Sequence, residues 1–116
     1  MDSQELDLIF GALADPIRRG ILVNLSVGEQ NVSQLTDAFD VSQPAISRHL
    51  RTLVAAGLIE KEKRGREQFV RVNAAQAEQA ASWINHYSRF WRHHFDEVER
   101  ILEQKKGQNH DNTNKS

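Results

Sequence analysis

Hydrogen-bonding and cationic side chains recur along the segment 42–54, whose sequence is SQPAISRHLRTLV. Gln43, Ser47, Arg48 and Arg51 are residue types that can bond base edges and phosphate oxygens in the major groove of duplex DNA. An ordinary surface helix also has a polar face, so these four residues do not establish nucleic-acid binding by themselves. The candidate chemistry is recognition, and its interpretation depends on the elements that position these side chains.

The same segment has the apolar pattern of an amphipathic helix. Ile46, Leu50, Leu53 and Val54 follow one another at the i, i+4, i+7 and i+8 spacing, which places them on one face. A serine at the start can cap free backbone amides, and a proline in the first turn costs no hydrogen bond. The pattern predicts a helix with an apolar inner side and a polar outer side.

A shorter helical pattern precedes this helix. Leu35, Ala38 and Phe39 have helical spacing behind Ser33, a capping candidate, and Asp40-Val41-Ser42 interrupts the pattern. Two short helices separated by a turn, of which only the second carries an outward polar face, predict a helix-turn-helix.

A β-hairpin is predicted directly after the second helix. Ala56-Gly57-Leu58 ends the helix, and residues 58–72 alternate charged with apolar side chains around Gly65. Residues 42–72 contain seven lysines and arginines against three glutamates, a net charge of +4, so the rest of the chain carries −5 because the total is −1. A helix-turn-helix followed by a hairpin with a basic tip predicts a winged helix whose local charge attracts phosphate.

Composition limits the other function classes. The chain has 116 residues, of which 39% are hydrophobic and 27% charged, as expected for one globular domain. It has no cysteine, which excludes disulfides and thiolate metal sites. No window resembles a transmembrane helix, and the acidic start MDSQELDLIF is unlike a signal peptide, so we expect a cytoplasmic protein without membrane contact.

Three further helices are predicted at 4–14, 16–25 and 74–104. The last would span about 46 Å, whereas a chain of this length has a radius of gyration of about 13 Å, so its apolar stripe needs a second subunit. We therefore expect a homodimer and assign residues 1–105 to one DNA-binding and dimerisation domain, with 106–116 a disordered polar tail. The predicted interface residues are Leu6, Ile9, Phe10, Leu13, Trp83, Ile84, Tyr87, Phe90, Trp91, Phe95 and Val98.

The order of elements and several phrases resemble the ArsR/SmtB family of winged-helix repressors. The phrases are LADPIRRGIL at 13–22, the run 29–35, SQPAISRHLRTLVAAGLIEKEKRGR at 42–66 and the aromatic residues of 87–91. The resemblance covers residues 5 to about 104. It implies a mainly α fold with a small β-hairpin, a winged helix-turn-helix with a long C-terminal dimerisation helix.

The resemblance also implies function. Family members bind double-stranded operator DNA as homodimers through the helix-turn-helix and the wing, and their first and last helices form the dimer interface. We therefore expect a repressor that binds an inverted-repeat operator, with repression of its own gene as one form of this function. The residues assigned to DNA binding are Ser42, Gln43, Pro44, Ser47, Arg48, His49, Arg51, Lys63, Arg64 and Arg66.

The sequence departs from the metal-sensing members of that family. Thiolate sensors have Cys-Val-Cys where this chain has Asn31-Val32-Ser33, and neither an amide nor a hydroxyl binds a soft metal. The zinc sensors use four ligands on the last helix across the dimer. Anchoring that pattern on His94 and Glu97 puts Ala81 and Trp83 at the other pair, and anchoring it on His86 puts Arg100 at a ligand position. We therefore predict no metal site and no cofactor, leaving an atypical site built from His86, His93, His94 and Glu97 as the alternative.

Two other function classes remain open at this point. A winged helix can also be a protein-interaction module, with the aromatic C-terminal helix binding a partner protein. An enzyme is disfavoured, because there is no glycine-rich phosphate loop and no supported grouping of catalytic residues. Within the repressor class the sequence does not identify an effector or an antagonist protein.

Overall fold

The computed structural model describes residues 2–114, with the side chains of residues 2–105. The chain forms two compact units, Met1–Ala80 and Ala81–Ser116. The elements are, in chain order, α1 (Ser3–Leu13), α2 (Pro16–Leu25), β1 (Gln30–Asn31), α3 (Val32–Ala38), α4 (Gln43–Ala55), β2 (Ile59–Arg64), β3 (Glu67–Val72) and α5 (Ala74–Asn114).

Capping side chains fix where the first four helices begin. Asp2, Asp15, Asn31 and Ser42 each accept a hydrogen bond from a backbone amide in the first turn of the helix that follows. For α3 the sequence-based choice of Ser33 as the cap was wrong. Asn31 is the cap instead, because its side chain and that of the glutamine three residues later bond each other's backbone reciprocally.

The wing is a three-stranded antiparallel sheet in the order β1-β3-β2. The hairpin predicted at 58–72 is confirmed, with Ile59 opposite Val72 and Arg64 opposite Glu67. Gly65 has a φ of +64°, which explains why the turn needs glycine. The two-residue strand β1 was not predicted, and it pairs Gln30 with Val70. A polar pair of residues gives no periodicity from which a strand could be recognised.

One hydrophobic core holds the first unit together. It combines residues from α1 to α4, both long strands and the start of α5, and Ile21, Leu35, Ile46 and Leu53 are fully buried in it. Ile9 was predicted to lie in a dimer interface. It is 1% exposed and belongs to this core, so it is not available to a partner. The apolar spacing along α1 fits a residue of the core as well as a residue of a dimer interface. Only the packing of the folded chain distinguishes the two.

Helix α5 starts after Asn73, whose side chain accepts a hydrogen bond from the backbone amide of Gln76 at 3.3 Å. The helix bounds extend to Asn114, beyond the predicted end at 104. The disordered tail predicted at 106–116 lies outside the residues whose side chains are described, and it stays a prediction. No helix in the described part of the chain is long and apolar enough to span a membrane.

Candidate nucleic-acid interface

Helix α4 has its apolar side in the core and its basic side in solvent. Ile46, Leu50 and Leu53 are at most 1% exposed. At about 100° per residue, Arg48 lies nearly opposite the centre of these three residues, and its side chain is exposed. The guanidinium therefore extends from the outermost line of the helix, as a side chain must to enter a groove of DNA.

The amino-terminal part of α4 faces the wing. Gln43 and Ser47 line a cleft of about 260 Å³ together with Arg66, Glu67 and Gln68 of the hairpin and with residues 31–33. The sequence-based prediction placed Gln43, Ser47 and Arg66 in one interface. The structure brings these three residues together on one polar surface, which combines hydrogen-bonding groups from the helix with a cation from the wing.

His49 lies on the other flank of α4 and contacts α2. Its Nδ1 is 3.3 Å from Arg18 Nη1 and 3.9 Å from Asp15 Oδ2, and its side chain is 21% exposed. The side chains of His49 and Arg18 are therefore within hydrogen-bond distance of each other. His49 therefore packs in the junction between helices, and its assignment to DNA binding stays a prediction.

Arg18 and Asp15 connect this junction to α1. Arg18 donates from Nε to the carbonyl of Ala12 at 2.7 Å and from Nη2 to that of Gly11 at 3.0 Å. Asp15 caps α2, and the backbone amide of Arg18 is the main cause of a pKa below its ordinary value, with the charge of His49 adding to the effect. Sequence reasoning missed this junction. The one available signal was that His49 falls on the same half of the helix as Ile46 and Leu53.

Arg64 is held inside the wing by two carboxylates. Nη1 and Nη2 donate to the two oxygens of Glu29, each at 2.8 Å, and Nη2 also donates to Glu62 Oε2 at 2.6 Å. The guanidinium carbon lies 4.6 Å from the centre of the Phe69 ring. The hydrogen bonds that Arg64 donates to Glu29 raise the pKa of Arg64, and the bond that it donates to Glu62 lowers the pKa of Glu62.

The other cations of the wing differ in their surroundings. Arg71 bonds Glu60 and Glu62 at distances of 2.9–3.2 Å. Lys61 is half-buried, and burial is the main cause of its lowered pKa, followed by repulsion from Arg51. Lys63 and Arg66 are exposed, and neither takes part in an ion pair among the described side chains. Arg64 was predicted as an equivalent of Arg66, and the structure shows that the two have different environments.

The second unit presents a wide apolar face on α5. At about 100° per residue, the large apolar residues between 83 and 102 fall within an arc of about 140°. Neighbouring rings on this face are in contact, with centroid distances of 5.0 Å for Trp83–Tyr87 and 5.4 Å for Trp91–Phe95. Exposed members of the face are Ile84, Tyr87, Phe90, Phe95, Val98, Ile101 and Leu102.

The histidines of α5 have other neighbours than a metal site would require. His93 Nε2 lies 3.6 Å from Glu97 Oε1, and His94 stacks on Phe90 with ring centroids 6.1 Å apart. Within the described residues no three His, Cys, Asp or Glu side chains are grouped so that they could hold a metal ion. The predicted absence of a metal site stays a prediction, since the alternative site would combine residues of two subunits.

The helix-turn-helix lies within the part of the chain that is similar to known proteins. The family model described as "Bacterial regulatory protein, arsR family" matches residues 15–61. The arsenical resistance operon repressor of Escherichia coli strain K12 is 38% identical over 95 residues, which are 81% of this chain and 79% of that protein. The chain belongs to the arsR family.

A second relative matches this arsR-family chain over a shorter length. The HTH-type transcriptional repressor SmtB of Mycobacterium tuberculosis is 43% identical over 61 residues, which are 53% of the chain and 45% of the repressor. The chain therefore matches less than half the length of that relative.

Solved structures of the arsR family confirm the winged helix-turn-helix fold. The crystal structure of an ArsR family transcriptional regulator superposes with a TM-score of 0.71 at 32% identity, covering 79% of this chain and 95% of the other. The solution structure of a homodimeric winged helix-turn-helix DNA-binding domain from Mycobacterium bovis gives a TM-score of 0.62 at 25% identity, covering 78% and 84%.

Proposed function

We propose that this arsR-family chain is a homodimeric, sequence-specific DNA-binding repressor of transcription, without enzymatic activity, that acts in the cytoplasm. The observation that carries the proposal is the exposed face of α4. Arg48 lies opposite the buried side of the helix, and Gln43 and Ser47 share a polar cleft with Arg66 of the wing. A protein scaffold would not need hydrogen-bonding groups and cations on both elements.

Dimerisation through α5 supports the same proposal. The apolar face of this helix is too large for a soluble protein to leave in water, and a second copy of the face covers it symmetrically. Family membership supports a homodimer, because the relative from Mycobacterium bovis is one. Two identical copies of α4 then read two half-sites related by a twofold axis.

We expect the operator to be an imperfect inverted repeat with half-site centres about 34 Å apart or a multiple of that distance. Selection of bound duplexes from a random pool by the purified protein, followed by sequencing, tests this. The expected result is one enriched motif and its inverted copy at a fixed spacing. A pool that stays random after repeated selection at physiological salt would contradict sequence-specific recognition.

We also propose that metals do not control DNA affinity. At the position of the family's thiolate pair, Asn31 is occupied as the cap of α3 and accepts a hydrogen bond from the Gln34 amide at 2.8 Å, and Ser33 supplies only a hydroxyl. Zinc, cadmium or arsenite should leave binding of the selected duplex unchanged in an equilibrium titration. A tenfold loss of affinity, a coupling of about 1.4 kcal/mol, would instead indicate a site formed by His86, His93, His94 and Glu97 of both subunits.

A further inference from the structure

The wing contains a connected group of ion pairs that begins outside the hairpin. Glu29 belongs to the loop before β1, whereas Arg64 and Arg71 belong to β2 and β3. Arg71 Nη1 lies 3.6 Å from Glu29 Oε1, so one carboxylate contacts both guanidiniums. We call the group Glu29, Glu60, Glu62, Arg64 and Arg71 the wing network.

The geometry around Arg64 leaves little of its hydrogen-bonding capacity for another ligand. Nε donates to Glu62 at 3.2 Å, and Nη1 and Nη2 form a two-point contact with Glu29. Phe69 covers one face of the guanidinium. Four of the five N–H groups of Arg64 donate to these carboxylates, so a DNA phosphate could form a two-point contact with Arg64 only by displacing a carboxylate.

The charges of the wing network also separate the cations of the wing into two classes. Its three carboxylates exceed its two guanidiniums, so Arg64 and Arg71 add no net positive charge to the surface. Arg66 is outside the network, and it lines the cleft that also contains Gln43 and Ser47 of α4. Lys63 is outside the network too, but of these two cations only Arg66 lines the cleft beside α4.

We infer that Glu29 and Arg64 are positioning residues that fix the hairpin so that Arg66 contacts the DNA backbone beside α4. Glu29 links the hairpin to the loop that precedes β1, and Arg64 makes both hydrogen bonds of this link, with Arg71 at the longer distance of 3.6 Å. The inference rests on the proposed DNA-binding function. It assigns an acidic residue a favourable role in binding a polyanion, which is opposite to what its charge alone would do.

The test is equilibrium binding of the selected duplex by the full chain and its variants at several salt concentrations. Glu29→Gln should weaken binding about twofold to fivefold, the effect typical of an exposed ion pair, and Arg64→Gln should weaken it equally. The double variant should be no weaker than either single variant, because both lose the same link. Glu78→Gln is the matched control. It neutralises an exposed carboxylate at the start of α5 that is outside the wing network and does not line the cleft, so binding should stay equal or become tighter.

Arg66→Gln supplies the readout that a purely structural role would not change. The logarithm of the association constant falls linearly with the logarithm of the salt concentration. In the wild-type background Arg66→Gln should make this slope less steep by about one per subunit, because one phosphate contact is lost. In the Glu29→Gln background the decrease should be clearly smaller, because the displaced wing no longer holds Arg66 at the backbone. An undiminished decrease would overturn the positioning role.

The remaining outcomes are equally decisive. If Glu29→Gln bound the duplex as tightly as wild type or more tightly, Arg64 would be a DNA ligand that Glu29 restrains, and the inference would be wrong. The same holds if Arg64→Gln lowered the salt slope as much as Arg66→Gln. A wild-type protein that bound no duplex would overturn the proposed function and this inference together, whereas the other two results would overturn the inference alone.

Discussion

Trp91→Glu is expected to convert the protein from a dimer into a monomer at micromolar concentration. Trp91 lies near the centre of the apolar face of α5, where its ring contacts Tyr87, Phe90 and Phe95. A carboxylate placed there must lose its hydration water without gaining a hydrogen-bond partner. In a homodimer the interface would contain two such carboxylates. We expect a cost of ~3 kcal/mol or more, which is at least about a hundredfold in the dimerisation constant.

Light scattering coupled to size-exclusion chromatography measures this directly. Wild-type protein should have twice the chain mass of 13.3 kDa, and Trp91→Glu should have the single-chain mass. Asn85→Glu, which places the same charge on the opposite side of the helix, should remain dimeric. A monomeric wild type, or a Trp91→Glu protein as dimeric as the control, would refute the interface on α5.

Arg48→Ala is expected to remove sequence discrimination while leaving general DNA affinity nearly intact. A well-aligned arginine contact with a base is worth roughly 1–3 kcal/mol, and a dimer makes this contact in both half-sites. The selected duplex should therefore bind at least about thirtyfold more weakly, and random duplex should change much less. Fluorescence anisotropy with both duplexes at one fixed salt concentration measures the two losses separately.

Arg92→Ala is the matched control for Arg48→Ala. It removes the same charge from the polar side of α5, at a residue not assigned to DNA binding, and should leave both affinities close to wild type. If Arg48→Ala weakened both duplexes by the same factor, Arg48 would contact phosphate and base reading would have to come from Gln43 and Ser47.

The recognition helix could be predicted from sequence because one periodicity decides both its sides. Ile46, Leu50 and Leu53 are apolar and separated by helical steps, and burial of these residues forces Arg48 outward. The hairpin could be predicted equally well, because the alternation of charged and apolar residues around Gly65 fixes the strand register and the position of the turn. Each of these features depends only on residues close in the sequence.

Two contacts of the predicted site residues could not be inferred from the sequence. His49 contacts Arg18, and Arg64 contacts Glu29, although the partners are 31 and 35 positions apart in the sequence. No local pattern reports such pairs, since each member alone resembles an ordinary exposed polar residue. From the sequence, Arg64 and Arg66 were predicted to be equivalent cations at the tip of the wing. In the fold Arg64 is paired with Glu29 and Glu62, whereas Arg66 forms no ion pair among the described side chains.

The interface prediction was limited in the same way. Ile9 and Phe10 are neighbours on α1, and the sequence assigned both to the dimer, yet Ile9 is buried in the core and Phe10 is 42% exposed. An apolar residue on an amphipathic helix can face its own chain or a second one, and tertiary packing decides between them. On α5 the apolar arc is so wide that the expectation of a partner does not depend on one residue.

The most direct test of the central claim is the ratio of two affinities of the wild-type protein at about 150 mM salt. One duplex carries the selected inverted repeat, and the other has the same composition in shuffled order. Sequence-specific repressors typically bind their own site 10³-fold or more tightly than other DNA, and we predict a ratio of at least about that size. Equal affinities for the two duplexes would contradict the proposal that α4 reads DNA sequence, and the protein-interaction alternative would then take its place.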